Sequence, residues 1–516
     1  MRTGGVLNVL GKLLLLLSAF LLTPIPFSYY YNDGMVTVFL LSSILGVVFG
    51  GGLVCSFVPE EDLGYRDGFA VVVFSWLGLA LLGALPFYFS GAMDSFVDCV
   101  FESMSGFTTT GSTILTRVEI LPESVLFWRA LTHWLGGMGI IVLTLAILPL
   151  LGIGGMQLFQ AEMPGPTKDR LAPRIQDTAR ILWSVYVLFT VTEVLLLILG
   201  GVSFFDAVCH SFATLATGGF STHTSSVGFF NSVYVESIVI FFMFVAGVNF
   251  SLHYQGLRGR LSSYWQNEEF RFYVHLTAFA IVIIVIFNLI YGTYASFGEA
   301  LRTGFFQVTS ILTTTGFGTA DFDQWPPVCK ILLVSLMFVG GCAGSTGGGI
   351  KHVRLLLFFK YARLQLRNLV HPQAVGAIKL GKVKVPREVL ISILGFFGLY
   401  IAFFFLATLV VTALGVDIVT GATAVVATLN NIGPGLNLVG PAQNYGHLPA
   451  FAKVVLTFCM LAGRLELYTV AVLLTPDYWA MARKPVLRWK QTAKQSSSKL
   501  DLIEQCHTRL MNTIFW

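Results

Sequence analysis

Long apolar runs separated by short polar breaks dominate this chain. About ten of them are long enough to cross a hydrocarbon core of ~30 Å as helix, which takes ~20 residues. They are residues 6–24, 35–57, 67–90, 124–148, 181–201, 233–254, 273–294, 327–360, 388–414 and 450–476. Four further segments, 94–107, 204–215, 298–312 and 418–429, are too short to span and suit re-entrant half-helices. The first run has Arg2 and Lys12 about it and then Pro24, Pro26 and a polar break at Tyr31-Asn32-Asp33. Without a small-residue cleavage pattern, it is expected to be a retained helix.

Each short segment runs into a glycine-centred pattern. The four copies are Thr108-Thr109-Thr110-Gly111-Ser112-Thr113, Leu215-Ala216-Thr217-Gly218-Gly219-Phe220, Thr313-Thr314-Thr315-Gly316-Phe317-Gly318 and Asn430-Asn431-Ile432-Gly433-Pro434-Gly435. Aligned on Gly111, Gly218, Gly316 and Gly433, they lie 107, 98 and 117 residues apart. A non-helical strand at membrane depth is tolerated only where protein buries it or it lines water. Four strands around an axis would make rings of backbone carbonyls able to replace the water shell of a potassium ion. Glycine at the shared position permits backbone angles that other residues resist. The expected ion-binding residues are Thr109, Thr110 and Gly111, then Ala216, Thr217 and Gly218, then Thr314, Thr315 and Gly316, and Asn431, Ile432 and Gly433. The hydroxyls of Thr110, Thr217 and Thr315 either add oxygens or bond local backbone. A half-helix whose carboxyl end points at the membrane centre favours a cation there. Because only one glycine is common to all four copies, fewer equivalent carbonyl rings are expected than in a filter of four identical strands.

The predicted fold is therefore all-α and integral to the membrane. Four tandem units of helix, re-entrant pore loop and helix surround a pseudo-fourfold pore, with two extra helices at the amino end. The corresponding divisions are 1–57 for the extra helices, 58–160, 161–260, 261–370 and 371–482 for the repeats, and 483–516 for a cytoplasmic tail.

Composition agrees. Of 516 residues, 55% are hydrophobic and 11% charged, against about 25% charged in soluble domains. Seven cysteines are scattered with no CxxC pair, and Cys55, Cys99, Cys209, Cys329, Cys342 and Cys459 read as small apolar residues. The net charge of +5 reports topology rather than an acidic partner; no nucleic acid is expected. Lysine and arginine cluster in alternate connections: Lys168, Arg170, Arg174 and Arg180; Arg258, Arg260 and Arg271; nine residues in 351–387; and seven after 477. The positive-inside rule then puts both termini and these loops in the cytoplasm and all four glycine patterns outside.

Two features lie on the other side of the pattern. Gly340-Gly341-Cys342-Ala343-Gly344-Ser345-Thr346-Gly347-Gly348-Gly349 interrupts the run after the third copy, and so many glycines disfavour helix at ~1 kcal/mol each. A phosphate-binding loop is excluded, because Gly349 is followed by Ile350-Lys351 rather than by Lys-Ser/Thr. Either close helix packing or a flexible obstruction beneath the filter explains it. Arg464 sits mid-run in Leu461-Ala462-Gly463-Arg464-Leu465-Glu466, where an ionisable group is expensive and a functional candidate. It either pairs with Glu466 or another helix, or places a fixed positive charge near the pore axis. Glu102 either concentrates cations or pairs with a neighbour. Asp98, Asp206, Asp321 and Asp323 are vestibule candidates or solvated loop charges, and His210 and His223 read as hydrogen-bonded structural residues.

The four glycine patterns, with Ser105-Gly106-Phe107 leading into the first and Asn430–Gly435 as the fourth, resemble the Trk/Ktr/HKT superfamily of potassium-uptake proteins. The two extra helices and the length are similar to the bacterial Trk branch, its pore-forming membrane subunit. The resemblance covers essentially the whole chain. It implies that Gly340, Gly341, Gly344, Ser345, Thr346, Gly347, Gly348 and Gly349 form the gate, with Arg464 below the filter. It further implies a homodimer in the bacterial inner membrane, and a cytoplasmic ring of nucleotide-binding regulatory subunits. Lys351, Arg354, Lys360, Arg363, Arg367, Lys379, Lys382, Lys384 and Arg387 would either dock that partner or touch anionic lipid. The chain has no nucleotide motif, so ATP or NADH would be sensed by the partner. No cofactor is expected beyond potassium itself as cargo, and no enzymatic site. A symporter coupled to protons or sodium is the alternative; it would want mid-membrane acids, of which Glu193 and Glu466 are the main ones. The tail from Lys484, weakly amphipathic over Leu500–Trp516, is a candidate contact for the membrane surface or for the chain's own cytoplasmic loops.

Overall fold

The structure is a computed structural model that describes residues 3–57, 64–142, 175–372, 376–381 and 383–480. Lys168, Arg170, Arg174, Lys382 and the tail from Lys484 lie outside the described residues. Six described helices are long and apolar enough to cross a membrane, or eight if each of two bent pairs is one span. Two of the expected ten runs account for the difference. The run at 124–148 is described only as Glu123–Val142, and 327–360 divides into Pro327–Met337 and His352–Val370 around the glycine segment.

Two expected continuous spans are broken. Val233–Ala246 and Phe250–Leu257 meet at 106°, and Ala450–Arg464 and Leu467–Leu474 at 117°. At the first break Asn249 Oδ1 accepts from Ser251 N at 2.8 Å and so starts a new helix, while Phe250 N donates to the Gly344 carbonyl at 3.1 Å. At the second, Glu466 stands at φ +63°. Hydropathy gives no sign of such a break, because it is blind to backbone angle.

The four half-helices are Phe96–Phe107, Phe204–Leu215, Phe297–Leu312 and Ile418–Leu429. Each packs between two other helices of its own repeat: Tyr65–Gly83 and Glu123–Val142, Ile175–Leu199 and Val233–Ala246, Glu268–Ile290 and Pro327–Met337, Arg387–Ala413 and Ala450–Arg464. Each also packs on one helix of the preceding repeat. Phe96–Phe107 lies on Ala450–Arg464, Phe204–Leu215 on Glu123–Val142, Phe297–Leu312 on Val233–Ala246 and Ile418–Leu429 on Pro327–Met337. These contacts close a cycle of four repeats.

Polar residues start the half-helices where four backbone N–H groups would otherwise lack partners. Ser203, Ser296 and Asp417 accept from Asp206 N, Glu299 N and Thr420 N at 3.0, 3.1 and 3.0 Å. Outside the cycle, Thr3–Phe20 and Val36–Ser56 cross at Gly11 and Gly50. A Cβ on either glycine would lie 2.7–2.8 Å from the other's carbonyl oxygen, a close approach that small residues allow between membrane helices.

Candidate functional site: four glycine turns and the segment beneath them

Every half-helix ends in the same turn. Thr109, Thr217, Thr314 and Asn431 hold φ of 51°, 54°, 61° and 55°, and Gly111, Gly219, Gly316 and Gly433, two residues on, hold 77°, 80°, 81° and 104°. The residues between them close a six-to-one bond to the helix. Thr110 N, Gly218 N, Thr315 N and Ile432 N donate to the carbonyls of Ser105, Ala213, Ser310 and Ala427, each at 2.8 Å. This is the termination that normally uses glycine at its left-handed position. β-Branched threonine there is strained by about 1–3 kcal/mol, a cost maintained at three of the four turns.

The second copy is therefore in a different register from the one expected. Gly219, not Gly218, is equivalent to Gly111, Gly316 and Gly433. Gly218 is a glycine for another reason: a Cβ there would overlap the His133 ring. His133 stacks on Phe220 with centroids 4.0 Å apart, and the Arg129 guanidinium covers that phenyl ring at 3.5 Å. Arg129 in turn pairs with Glu102 at 2.7 Å and donates to Ser221 O at 2.9 Å. Glu102 also accepts from Thr113 Oγ1 and Ile114 N, at 2.9 and 3.0 Å. Of the two readings of Glu102, the paired one describes the molecule. The missed signal was the run of two glycines, Gly218-Gly219, where the other copies have one.

The turns close a ring. A Cβ built on Gly111 would overlap the carbonyl oxygen of Gly218, one on Gly219 that of Thr315, and one on Gly316 that of Ile432; on Gly433 it would lie 2.8 Å from the oxygen of Thr110. Each turn thus rests on the next in order, and the fourth returns to the first. Thr108 to Thr110, Ala216, Thr217, Thr313 to Thr315 and Asn430 to Ile432 are all fully buried. The hydroxyls of Thr110 and Thr315 face Thr108 and Thr313 Oγ1 at 2.8 and 2.7 Å, and Thr217 Oγ1 donates to Ala216 O at 2.6 Å. These hydroxyls make local bonds. Asn431 replaces threonine in the fourth turn and ties it to the first, donating to Thr110 Oγ1 and Met460 O at 2.9 Å each. The Gly433 carbonyl already accepts from Ser112 Oγ at 3.1 Å and Tyr445 OH at 2.7 Å, so the fourth turn differs from the rest.

Residues Gly340 to Gly349 form no helix and lie against the helix side of these turns. Thr346 Oγ1 donates to Leu215 O at 2.9 Å and Gly348 N donates to Thr314 Oγ1 at 2.7 Å. A Cβ on Gly347 would stand 3.1 Å from Thr313 O, and one on Gly348 would overlap Asn430 O. The segment therefore touches the second, third and fourth turns. Arg464 reaches it from the fourth repeat, donating through Nη1 to Thr346 O at 2.7 Å and through Nη2 to Gly136 O, in the first repeat, at 3.0 Å. Glu466 pairs instead with Arg354 at 2.5 Å, so the proposed Arg464–Glu466 bridge is absent. Gly340, Gly341, Gly344, Ser345 and Gly349 stand in the same segment, held by Gly340 N to Ile350 O at 3.0 Å, Cys342 N to Gly247 O at 2.9 Å and Ser345 Oγ to Cys342 O at 2.7 Å. Lys351, expected as a loop cation, has its ammonium bonded to Gly347 O. Arg354 lies over the Phe396 ring at 4.3 Å. Two of the nine basic residues thus belong to this site rather than to a solvated loop.

The acidic candidates have local partners. Asp98 pairs with Lys453 at 2.7 Å, and Asp323 with Lys330 at 3.5 Å. Asp206 accepts from Ser203 and Thr222 at 2.7 and 2.6 Å. Asp321 caps the short turn Phe322–Gln324. His210 bonds Asp206 O and Ser221 Oγ at 2.8 and 2.9 Å, as expected of a structural residue, and His223 stacks on Phe229 with centroids 3.5 Å apart.

Comparison with known proteins converges. The TrkH family model, described as a cation transport protein, matches residues 36–480. The Trk system potassium uptake protein TrkH of Escherichia coli K12 is 43% identical over 483 residues, 93% of this chain and all of the relative. Its Halomonas elongata counterpart is 44% identical over 481 residues, covering 92% of this chain and 98% of the relative. The crystal structure of the potassium transporter TrkH from Vibrio parahaemolyticus superposes with a TM-score of 0.85 at 38% identity, covering 93% of this chain and all of that one.

Proposed function

Because the chain belongs to the TrkH family of cation transport proteins, a family of transporters rather than enzymes, we propose that it takes up potassium through a gated path lined by the four glycine turns. The observation that carries this is the closed ring, in which each glycine rests on a carbonyl of the next turn. Carbonyls at Thr109, Thr110, Thr217, Gly218, Thr314, Thr315, Asn431 and Ile432, with the turn glycines Gly111, Gly219 and Gly316, replace potassium's water shell. Ala216, expected among them, falls one residue outside this register, and its carbonyl accepts from Thr217 Oγ1. Gly433 closes the ring, although its own carbonyl is occupied. The carboxyl ends of four half-helices add partial negative charge beside the ion. Residues 340–349 are the gate, and Arg464 holds it under the turns as a fixed positive charge that repels the ion. Entry is driven by membrane potential. The protein sits in the bacterial inner membrane with both termini cytoplasmic and works as a homodimer. A nucleotide-sensing regulatory subunit docks on the basic segment 351–387. Support for these partners is the family membership and the name Trk system borne by the relatives.

One observation favours a second reading. Glu193 is fully buried, and neither carboxylate oxygen has a hydrogen-bond partner among the described residues. A lone acid at that depth is a candidate coupling site for protons or sodium. Purified protein in liposomes decides between them. The channel reading expects potassium to pass in preference to sodium with no proton gradient, in the wild type and in Glu193→Gln alike. Comparable sodium and potassium flux contradicts the filter; loss of flux in Glu193→Gln favours symport.

A further inference from the structure

The segment Gly340–Gly349 is drawn together at its neck. Gly340 N donates to Ile350 O at 3.0 Å, Ile350 N to Phe338 O at 3.3 Å and His352 N to Gly341 O at 3.4 Å. One side chain from another helix joins both sides of this neck. Glu269, second residue of the helix Glu268–Ile290, accepts through a single oxygen, Oε1, from Ala343 N at 2.8 Å and Val353 N at 3.1 Å. It is 8% exposed. Ala343 belongs to the glycine segment, whereas Val353 lies in the first turn of the helix His352–Val370.

Each partner gains from a carboxylate. Buried backbone N–H groups must be paired somewhere. A segment so rich in glycine cannot pair its own by forming helix. The amino end of His352–Val370 carries partial positive charge, which an acid stabilises. Hydrogen bonds to an ionised acceptor are about twice as strong as neutral ones. Glu269 is thus one fixed point shared by the glycine segment and the helix that follows it, in addition to the bonds that Arg464, Gly247 and Ile350 make to the segment.

We infer that Glu269 is a positioning residue for the gate: it pins the neck of the glycine segment to the first helix of the third repeat, and so holds the segment across the four turns. The inference rests on the reading of 340–349 as the gate. A merely structural contact would lower flux when lost, because less protein folds. A pin would raise it, because the segment is released.

Voltage-driven potassium flux in proteoliposomes tests this with eight forms: wild type, Glu269→Ala, Glu269→Asp, Glu269→Gln, a deletion of residues 344–348, and each of the three substitutions combined with that deletion. Ala removes the acceptor and Asp withdraws it. Both are expected to raise flux at least about tenfold, the shift that one charge-assisted bond alone would give, since two are lost. Gln keeps an oxygen acceptor in place without its charge and raises flux less than Ala or Asp. In the deletion background none of the three adds further flux. If the deletion leaves flux unchanged, the gate reading fails. If the deletion leaks while Glu269→Ala and Glu269→Asp match or fall below wild type, the gate stands and the role of Glu269 is overturned. Equal gains in Asp, Ala and Gln also overturn it, and Glu269→Asp decides the matter if Glu269→Ala does not fold.

Discussion

Arg464 donates through Nη1 to the Thr346 carbonyl at 2.7 Å, joining the fourth repeat to the glycine segment of the third. Its other terminal nitrogen holds Gly136 of the first repeat, so one buried guanidinium links three repeats below the turns. Bonds to charged groups contribute about 1.5–3 kcal/mol each. Losing both in Arg464→Ala should raise the open population at least about tenfold. Single-channel open probability checks this, and an unchanged value removes Arg464 from gating.

Gly218 and Gly219 should fail differently. Alanine at 218 meets the His133 ring, whereas alanine at 219 meets the Thr315 backbone at a φ of 80°. Both single variants should lose most potassium uptake. His133→Ala should restore uptake to Gly218→Ala and leave Gly219→Ala inactive, because a ring can be removed and a carbonyl cannot. Uptake by the two double variants, measured in a potassium-uptake-deficient strain, makes the comparison.

This pair also marks how far the sequence could be read. The half-helices were legible to within two residues because length and apolar content set them. The glycine segment was legible because no helix tolerates so many glycines. Register in the second turn was not, since two adjacent glycines satisfy different demands: packing at 218 and a left-handed backbone at 219. The breaks before Phe250 and Leu467 were hidden inside apolar runs, although Asn249 was an available capping signal. Asp98 and Asp206 looked like vestibule charges because an acid near the start of a half-helix reads the same whether it is solvated or paired.

The Arg354–Glu466 pair sits at the second break, where Glu466 is left-handed. Glu466 is half-buried, so removing one partner costs between the ~1 kcal/mol of an exposed pair and the ~3 kcal/mol of a buried one. Glu466→Ala should therefore lower the thermal midpoint in detergent by several degrees, and the exchange Arg354→Glu with Glu466→Arg should recover part of it. No loss in Glu466→Ala would mean the break holds without the pair.

Glu119 ties the stretch after the first turn to the stretch after the second, accepting from Thr224 N at 2.6 Å and from its hydroxyl. Burial would raise its pKa, but the Thr224 hydroxyl and backbone bonds outweigh that and lower it. A lowered carboxylate stabilises the fold above its ordinary pKa, and that stability is lost as pH falls through the folded value. Wild type should be more stable than Glu119→Gln at neutral pH and converge on it in acid. Parallel pH profiles of the thermal midpoint would refute the tie.

The most direct test is potassium flux in proteoliposomes holding this chain alone, with a voltage imposed and no gradient of any other ion. Flux should follow the voltage, exceed that of sodium, and rise when residues 344–348 are deleted. Flux that appears only with a proton or sodium gradient, or that the deletion leaves unchanged, would contradict a gated channel.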